Sequence, residues 1–481
     1  MAEPFAAAAE KAVHRARAAF PAWAALGPAG RRPHLAELRR VVAGNADRIA
    51  AVVCRETGKP APDVLVAEVL HAATHVSYLV RTAPWILAAR RASPRPLYTK
   101  SAWVEYHPLG VAAVVTPWNY PFLLPFSAAA TALAAGCTVV LKPSERAPES
   151  GALVAELAAL AGLPADVVQV VSGGPAAGTA VLRAGVDVVS VVGSPDIGRR
   201  IAAQTAESLT PVIAELGGKH PMIVLEDADL RRAAQAAVWG ACFGAGQTCV
   251  GVERVYVVDA VHDRFVAELL GALAAVYAGG GGRGDIGPLI SEEHAAQVND
   301  QVTDALAAGA VLRHGGHRTG QAGRWHEPTL LTEVDHTMAV MNRETLGPVL
   351  PVMRVADEAA AVALANDSRY GLHASVWTRD RVRGRRVASR VRAGSVAIND
   401  CLINYAMTDL PFGGVGESGW GRQGGPEGLR SYCYAKAVTS TRIALPRELQ
   451  WFPRLAGAGT WKLALRLLYG RGLHRLKPPR T

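Results

Sequence analysis

The chain is short of cysteine, of lysine and of long apolar runs. Six cysteines (Cys54, Cys137, Cys242, Cys249, Cys401 and Cys433) stand among 481 residues, and no two form a Cys-x-x-Cys pair. That excludes a disulfide scaffold and a zinc knuckle, so no metal site is expected and a reducing, cytoplasmic compartment is. The longest apolar runs, such as residues 110–116 and 128–135, fall short of the roughly 20 residues that cross a bilayer. Residues 1–9 have neither the basic start nor the apolar stretch of a secretory signal. With 50% hydrophobic and 19% charged residues, the composition excludes intrinsic disorder. Gly 48 and Pro 30 follow no three-residue period, which excludes collagen. A body of this length can bury a large core or several.

Charge is present but uneven. After residue 446 the chain has eight Lys or Arg against Glu448 alone, so this tail carries +7 of the net +10. A nucleic-acid binder spreads basic charge over a face of its fold, and here the body is nearly neutral, so no nucleic-acid partner is expected.

Residues 6–23, 32–57 and 63–88 have apolar positions three and four apart, which predicts helices, with Gly58 closing the second. From residue 101 the rhythm changes. Strands are predicted at 103–106, 110–115, 138–141, 167–171, 186–192 and 212–214, with helices at 125–135, 148–161, 176–184 and 197–205 between them. Strand–helix alternation at this spacing predicts a doubly wound parallel sheet, with ligands beyond the strands' carboxyl ends. No Gly-x-Gly-x-x-Gly follows these strands. A less regular α/β half follows: strands 222–224, 252–258, 349–355 and 395–398, helices 230–244, 262–274, 292–308 and 357–366, and a glycine loop at 279–282. Extended stretches at 97–106 and 435–443 flank the body as a separate arm.

Two residues suggest chemistry. Cys249 ends Phe243-Gly244-Ala245-Gly246-Gln247-Thr248-Cys249, a small-residue loop after a helix. It reads either as a small buried hydrophobe or as a thiolate nucleophile that a substrate can approach. Glu215 is expected on a glycine turn after strand 212–214, as a solvated acid or as a base at a cleft.

Seven motifs then occur in order: Thr116-Pro117-Trp118-Asn119-Tyr120-Pro121-Phe122, Leu141-Lys142-Pro143-Ser144-Glu145, Gly193-Ser194, Glu215-Leu216-Gly217-Gly218-Lys219, Gly246-Gln247-Thr248-Cys249, Glu344-Thr345-Leu346-Gly347-Pro348-Val349 and Pro411-Phe412-Gly413-Gly414. From about residue 4 to 443 the chain resembles the NAD(P)-dependent aldehyde dehydrogenase superfamily.

The resemblance implies that Cys249 attacks the aldehyde, that Asn119 and the Cys249 N–H hold the oxyanion, and that Glu215 activates water to release a free acid. It implies an NAD site made by Thr116, Pro117, Trp118, Lys142, Ser144, Glu145, Gly193, Ser194, Leu216, Gly217, Glu344 and Leu346. Glu145 tilts the choice toward NAD, since a carboxylate there repels a 2′-phosphate, with NADP still accommodated. Only 8 of the 51 basic residues are lysine, so Lys142 and Lys219 stand out within motifs. Leu346 stands where the family usually has Phe, and Val415-Gly416-Glu417 resembles class 3 and fatty aldehyde dehydrogenases. Asn399 matches the asparagine that orders the active-site loop.

By the same resemblance the substrate pocket is lined by Tyr120, Leu124, Ser127, Val250, Leu402, Tyr405 and Phe412. No Lys or Arg is among them, which favours an apolar aliphatic or aromatic aldehyde over a semialdehyde acid. The rivals are a semialdehyde dehydrogenase of the succinate-semialdehyde type and a cofactor-binding membrane or interaction scaffold without turnover. The expected organisation is an NAD-binding domain at 1–217 interrupted by arm segment 97–107, a catalytic domain at 218–422 and an oligomerisation arm at 430–445 for a dimer or tetramer. A basic amphipathic tail at 446–481 completes it. On a helix, Lys462 and Arg466 share one face and Trp461, Leu465 and Leu468 another, a composition suited to peripheral membrane contact, or to packing on the body.

Overall fold

A computed structural model describes residues 3–277, 279, 284–319 and 323–470. They form two units, one from Met1–Ala88 with Tyr106–Tyr434 and one from Ala89–Glu105 with Ala435–Thr481.

The first unit contains two sheets. One has the strand order Gly419–Trp420, Val212–Leu216, Val188–Gly193, Val111–Val115, Thr138–Lys142, Val168–Val170. All neighbours are parallel except Gly419–Trp420, which runs antiparallel to Val212–Leu216. The chain winds one way from Val111–Val115 and the other way from Val188–Gly193, so the crevice between these two strands is the switch point.

Alternation along each strand assigns its faces. Val111 and Ala113 pack with Ala9, Val13 and Ala16 of helix Glu3–Ala25, whereas Ala112 and Val114 pack with helix Leu123–Ala135. That helix is buried at every position, as its Ala- and Leu-rich sequence demands. The other sheet has seven strands in the order Val311–His314, Thr329–Thr332, Val349–Val355, Arg254–Val258, Pro221–Val224, His373–Trp377, Ser395–Ile398, and its core is separate.

Several expectations change. The single helix at 32–57 is two, Gly27–Gly44 and Ala46–Thr57, because the Asn45 side chain bonds the Val41 carbonyl and breaks the run. Glu215 lies inside its strand, opposite Gly419, and not on a turn after it. Residues 419–420, expected in the catalytic domain, complete the first sheet. Strands Thr329–Thr332 and His373–Trp377 lie outside the strands predicted above. The helical stretch Ala61–Ile86 is long and apolar enough to span a membrane, but half of it is buried against the rest of the protein. Most of the glycine loop at 279–282 lies outside the described residues.

The second unit holds most of a three-stranded sheet, in the order Arg90–Ala92, Lys100–Pro108, Cys433–Thr441. Lys100 pairs with Glu448. Helix Ala458–Tyr469 follows, with no residue buried; the cations expected beyond it, from Arg471 to Arg480, lie outside the described residues.

Candidate active site

At the switch point lies a cleft of about 430 Å³. Every residue assigned above to catalysis or to the cofactor lines it: Cys249, Glu215 and Asn119, together with Thr116, Pro117, Trp118, Lys142, Ser144, Glu145, Gly193, Ser194, Leu216, Gly217, Glu344 and Leu346. Six sequence-distant segments meet there, four of them because the parallel strands Val111–Val115, Thr138–Lys142, Val188–Gly193 and Val212–Leu216 end on one side.

The loop that presents Cys249 is built by backbone sterics. Helix Leu230–Cys242 ends, and then Gly244, Ala245 and Gly246 all take left-handed φ, at 62°, 60° and 73°. Gly246 has no alternative, since a Cβ there would lie 2.2 Å from the Gly347 carbonyl. Gln247 fixes the loop through its side chain, donating to the Gly244 carbonyl at 3.0 Å and accepting from the Ile290 N–H at 2.8 Å. Asn119 Nδ2 donates to the Gln247 carbonyl at 3.0 Å, and the Tyr120 and Thr248 hydroxyls bond at 2.7 Å. Burial pushes the Cys249 thiol up to about 12, with the Glu344 and Glu215 carboxylates adding to it. The resting thiol is therefore protonated.

Glu215 is buried, and burial holds its carboxyl well above the ordinary range against the opposing charge of Arg422. Neither Glu215 oxygen has a hydrogen-bond partner, and neither do Asn119 Oδ1 and Thr116 Oγ1. Four unpartnered buried polar atoms around one cleft mark a place built to receive a ligand and water.

The cleft's chemistry also fits a dinucleotide. Lys142 Nζ and Glu145 pair at 3.2 Å on its rim. Helix Pro195–Ala206 points its N-terminus at the cleft, with Ser194 as N-cap accepting from the Ile197 N–H at 3.4 Å. Glu344 accepts from the Gly218 N–H at 3.0 Å, and burial, then Glu253, raises its carboxyl to about 7. A Cβ on Gly217 would sit 2.4 Å from a Glu344 oxygen, so a side chain there would push the Glu344 carboxylate out of its place in the cradle.

Sequence reasoning misses the supports beneath these residues. Leu346 has φ 48°, held by Glu253 accepting its N–H and His294 bonding its carbonyl. Lys219, which stands out in the sequence, is buried against Glu253 and Thr345, and it is these partners that the sequence does not reveal. Arg146, Arg200 and Gln204 line the cleft unannounced. Lys59 and Glu68 form a buried pair at 2.8 Å; Glu68 also accepts from the Phe122 and Leu123 N–H groups, while Lys59 Nζ sits 3.8 Å from the Tyr120 ring centroid. The only sequence signal for Lys59 is the scarcity of lysine.

The expected substrate-pocket residues divide. Ser127, Tyr405 and Phe412 line a separate small chamber. Tyr120, Leu124, Val250 and Leu402 are buried in the two cores instead. Asn399 clamps Thr378, accepting its N–H and donating to its carbonyl.

A family model described as the Aldehyde dehydrogenase family matches residues 2–438. Over 459 residues the chain is 39% identical to a 4,4'-diapolycopene aldehyde oxidase of Methylomonas sp, covering 95% of this chain and 86% of that protein. Over 433 residues it is 37% identical to the succinate-semialdehyde dehydrogenase (NADP+) of Escherichia coli, covering 88% of each. The structure of a Mycobacterium tuberculosis aldehyde dehydrogenase complexed with NAD+ superposes with a TM-score of 0.86 at 33% identity, covering 90% of each chain.

Proposed function

Since the chain belongs to the aldehyde dehydrogenase family, we propose that it oxidises uncharged, largely apolar aldehydes to carboxylic acids with NAD, NADP also being accommodated. The observation that carries this reading is the single cleft in which a cysteine, a glutamate, an asparagine amide and a dinucleotide cradle converge.

Cys249 Sγ is the nucleophile. The thiol first gives its proton to water in the cleft. The thiolate then adds to the aldehyde carbon, and the C=O π pair moves to oxygen. The thiohemiacetal oxyanion is received by Asn119 Nδ2 and the Cys249 N–H, each such donor contributing about 3–4 kcal/mol in comparable sites. Lys142, Glu145, the N-terminus of helix Pro195–Ala206 and Glu344 would hold the cofactor. When bound, the nicotinamide supplies the hydride acceptor that leaves a thioester on Cys249. Burial that raises the Glu215 carboxyl makes its ionised form a strong base. The carboxylate, with no competing hydrogen bond, takes a proton from water, and the hydroxide adds to the thioester carbon. The C–S bond breaks to release the acid, and the Cys249 thiolate recovers the proton from Glu215.

Relatives named for semialdehydes favour a second reading, in which the substrate carries a carboxylate. Among the described residues no Lys or Arg lines the chamber of Ser127, Tyr405 and Phe412, and nearby Lys59 is neutralised by Glu68. This supports the uncharged substrate. Arg146 and Arg200 in the cleft support tolerance of a 2′-phosphate.

Assembly through the arm belongs to the same proposal. Cys433–Thr441 is a nine-residue edge strand, largely exposed, and such edges are normally covered. So does reversible membrane contact by a cytoplasmic enzyme: helix Ala458–Tyr469 exposes Trp461, Leu465 and Leu468 beside Lys462 and Arg466. The test of the reaction is an aldehyde panel from acetaldehyde to hexadecanal, with succinic semialdehyde, read as reduced cofactor from NAD and NADP. Turnover of succinic semialdehyde above every alkanal would overturn the substrate class, and no turnover of any aldehyde would overturn the reaction.

A further inference from the structure

The chamber beside the active-site cleft has features that neither catalysis nor cofactor binding requires. It lies among helix His71–Ile86, helix Leu123–Ala135 and the segment 405–412, and is lined by His71, His75, Ser127, Thr131, Tyr405 and Phe412. Its free space is about 20 Å³, room for one oxygen-sized group.

Ser127 is 5% exposed, and its hydroxyl has no partner. A serine within a helix ordinarily returns its hydroxyl to the carbonyl four residues earlier. Thr131, one turn on, does so, donating to the Ser127 carbonyl at 2.8 Å. Ser127 does not, and burying an unbonded hydroxyl is costly unless something arrives to bond it.

The surroundings fix the charge of what can arrive. Thr131 spends its hydrogen on Ser127, so His75 Nε2, 2.8 Å from Thr131 Oγ1, is the donor in that contact. Burial lowers His75 to about 3 and His71 to about 4, so both imidazoles are neutral at physiological pH. Among the described residues no cation lines the chamber, so a carboxylate would go unmatched there. The chamber wall adjoins the reacting end: a Cβ on Gly413, the residue after Phe412, would lie 2.9 Å from Glu215 Oε1. Tyr405 stacks on His71 at 4.8 Å, meets Phe412 edge-on at 4.7 Å, and lies within electrostatic reach of Cys249 and Glu215.

We propose that this chamber is a subsite for one uncharged oxygen, a hydroxyl or carbonyl carried by the substrate away from its aldehyde, with Ser127 Oγ as its hydrogen-bond partner. The inference rests on the aldehyde reading above and narrows it, from an apolar chain to an apolar chain with one neutral polar end.

The full-length enzyme tests it with matched pairs, each alkanal against the ω-hydroxyalkanal of equal length, from butanal to decanal. At one chain length the hydroxylated member should win in kcat/KM by about tenfold, the range of one neutral hydrogen bond. Ser127→Ala should bring that ratio close to one, and Ser127→Thr, which keeps a hydroxyl, should restore part of it. A ratio that Ser127→Ala leaves unchanged at every length overturns the subsite. Thermal-shift titration with alkanols and the matching terminal diols needs no turnover. A diol that stabilises the wild type more than its alkanol, but not Ser127→Ala, supports the subsite even if no aldehyde is oxidised. Equal shifts overturn it.

Discussion

Removing Glu68 alone should damage this protein more than removing Glu68 and Lys59 together. The Lys59 and Glu68 side chains are 5% and 0% exposed, and the pair also anchors the start of helix Leu123–Ala135, just after Asn119 and Tyr120. In Glu68→Leu the Lys59 ammonium is left buried without a counter-charge, which costs about 3–5 kcal/mol. The Phe122 and Leu123 N–H groups lose their acceptor as well, at about 1–3 kcal/mol for an unsatisfied buried group, though the terms are not additive. In Lys59→Met/Glu68→Leu no charge is stranded, so the loss should shrink to the unsatisfied N–H groups, about 2 kcal/mol. Urea unfolding of the wild type, both single variants and the double variant measures the coupling. The reasoning also predicts that Glu68→Leu lowers kcat, since Lys59 packs on Tyr120, which bonds Thr248 beside Cys249. A double variant whose destabilisation equals the sum of the singles would refute the argument.

Cys249→Ala should abolish turnover while leaving cofactor affinity intact, and Glu215→Gln should keep a first-turnover burst but slow the steady state by about 10²–10⁴-fold; stopped-flow traces separate the two. With the Cys249 thiol pushed up to about 12, first by burial and then by Glu344 and Glu215, the thiolate is scarce at neutral pH. Inactivation of the cofactor-free enzyme by iodoacetamide should therefore climb about tenfold per pH unit from pH 7 to 10; a plateau near pH 8 would contradict that environment. Gly217→Ala drives a Cβ into the Glu344 carboxylate, so KM for NAD should rise by about tenfold with a smaller change in kcat, and equal KM values would remove Glu344 from the cradle. Full-length protein should pellet with anionic liposomes at low salt and a chain ending at Gly457 should not; each cation near the surface adds about 1 kcal/mol. Equal pelleting would assign the helix a packing role.

The parts legible in the sequence are those with a local cause. Period-two and period-three-to-four patterns, punctuated by Gly136 and Gly58, locate most strands and helices of the first sheet. The motif order places Cys249, Asn119 and Glu215, and the fold gathers them into one cleft. Illegible parts depend on partners far along the chain. Glu253 reads as one more acid until residues 345 and 346 bring it their N–H groups. His71 and His75 sit on the apolar face of a helix and read as core until Thr131 and Tyr405 are beside them. Glu215 reads as a turn residue because the sequence near it does not reveal its two strand neighbours, Val192 on one side and Gly419 on the other.

That pairing has a consequence for biosynthesis. The strand carrying Glu215 is complete long before Gly419 and Trp420 leave the ribosome, about two hundred residues later. At 5–20 residues per second the delay is roughly 10–40 s. During it, Val212–Leu216 is an unpaired apolar edge on an otherwise finished sheet, with its carboxylic acid not yet enclosed. A nascent chain in this state is open to strand addition by a neighbour, and a chaperone has a defined segment to shield. Glu215, the proposed base, is thus flanked on that side only late in synthesis, and a chain truncated before residue 419 has a nearly complete first sheet that lacks this neighbour.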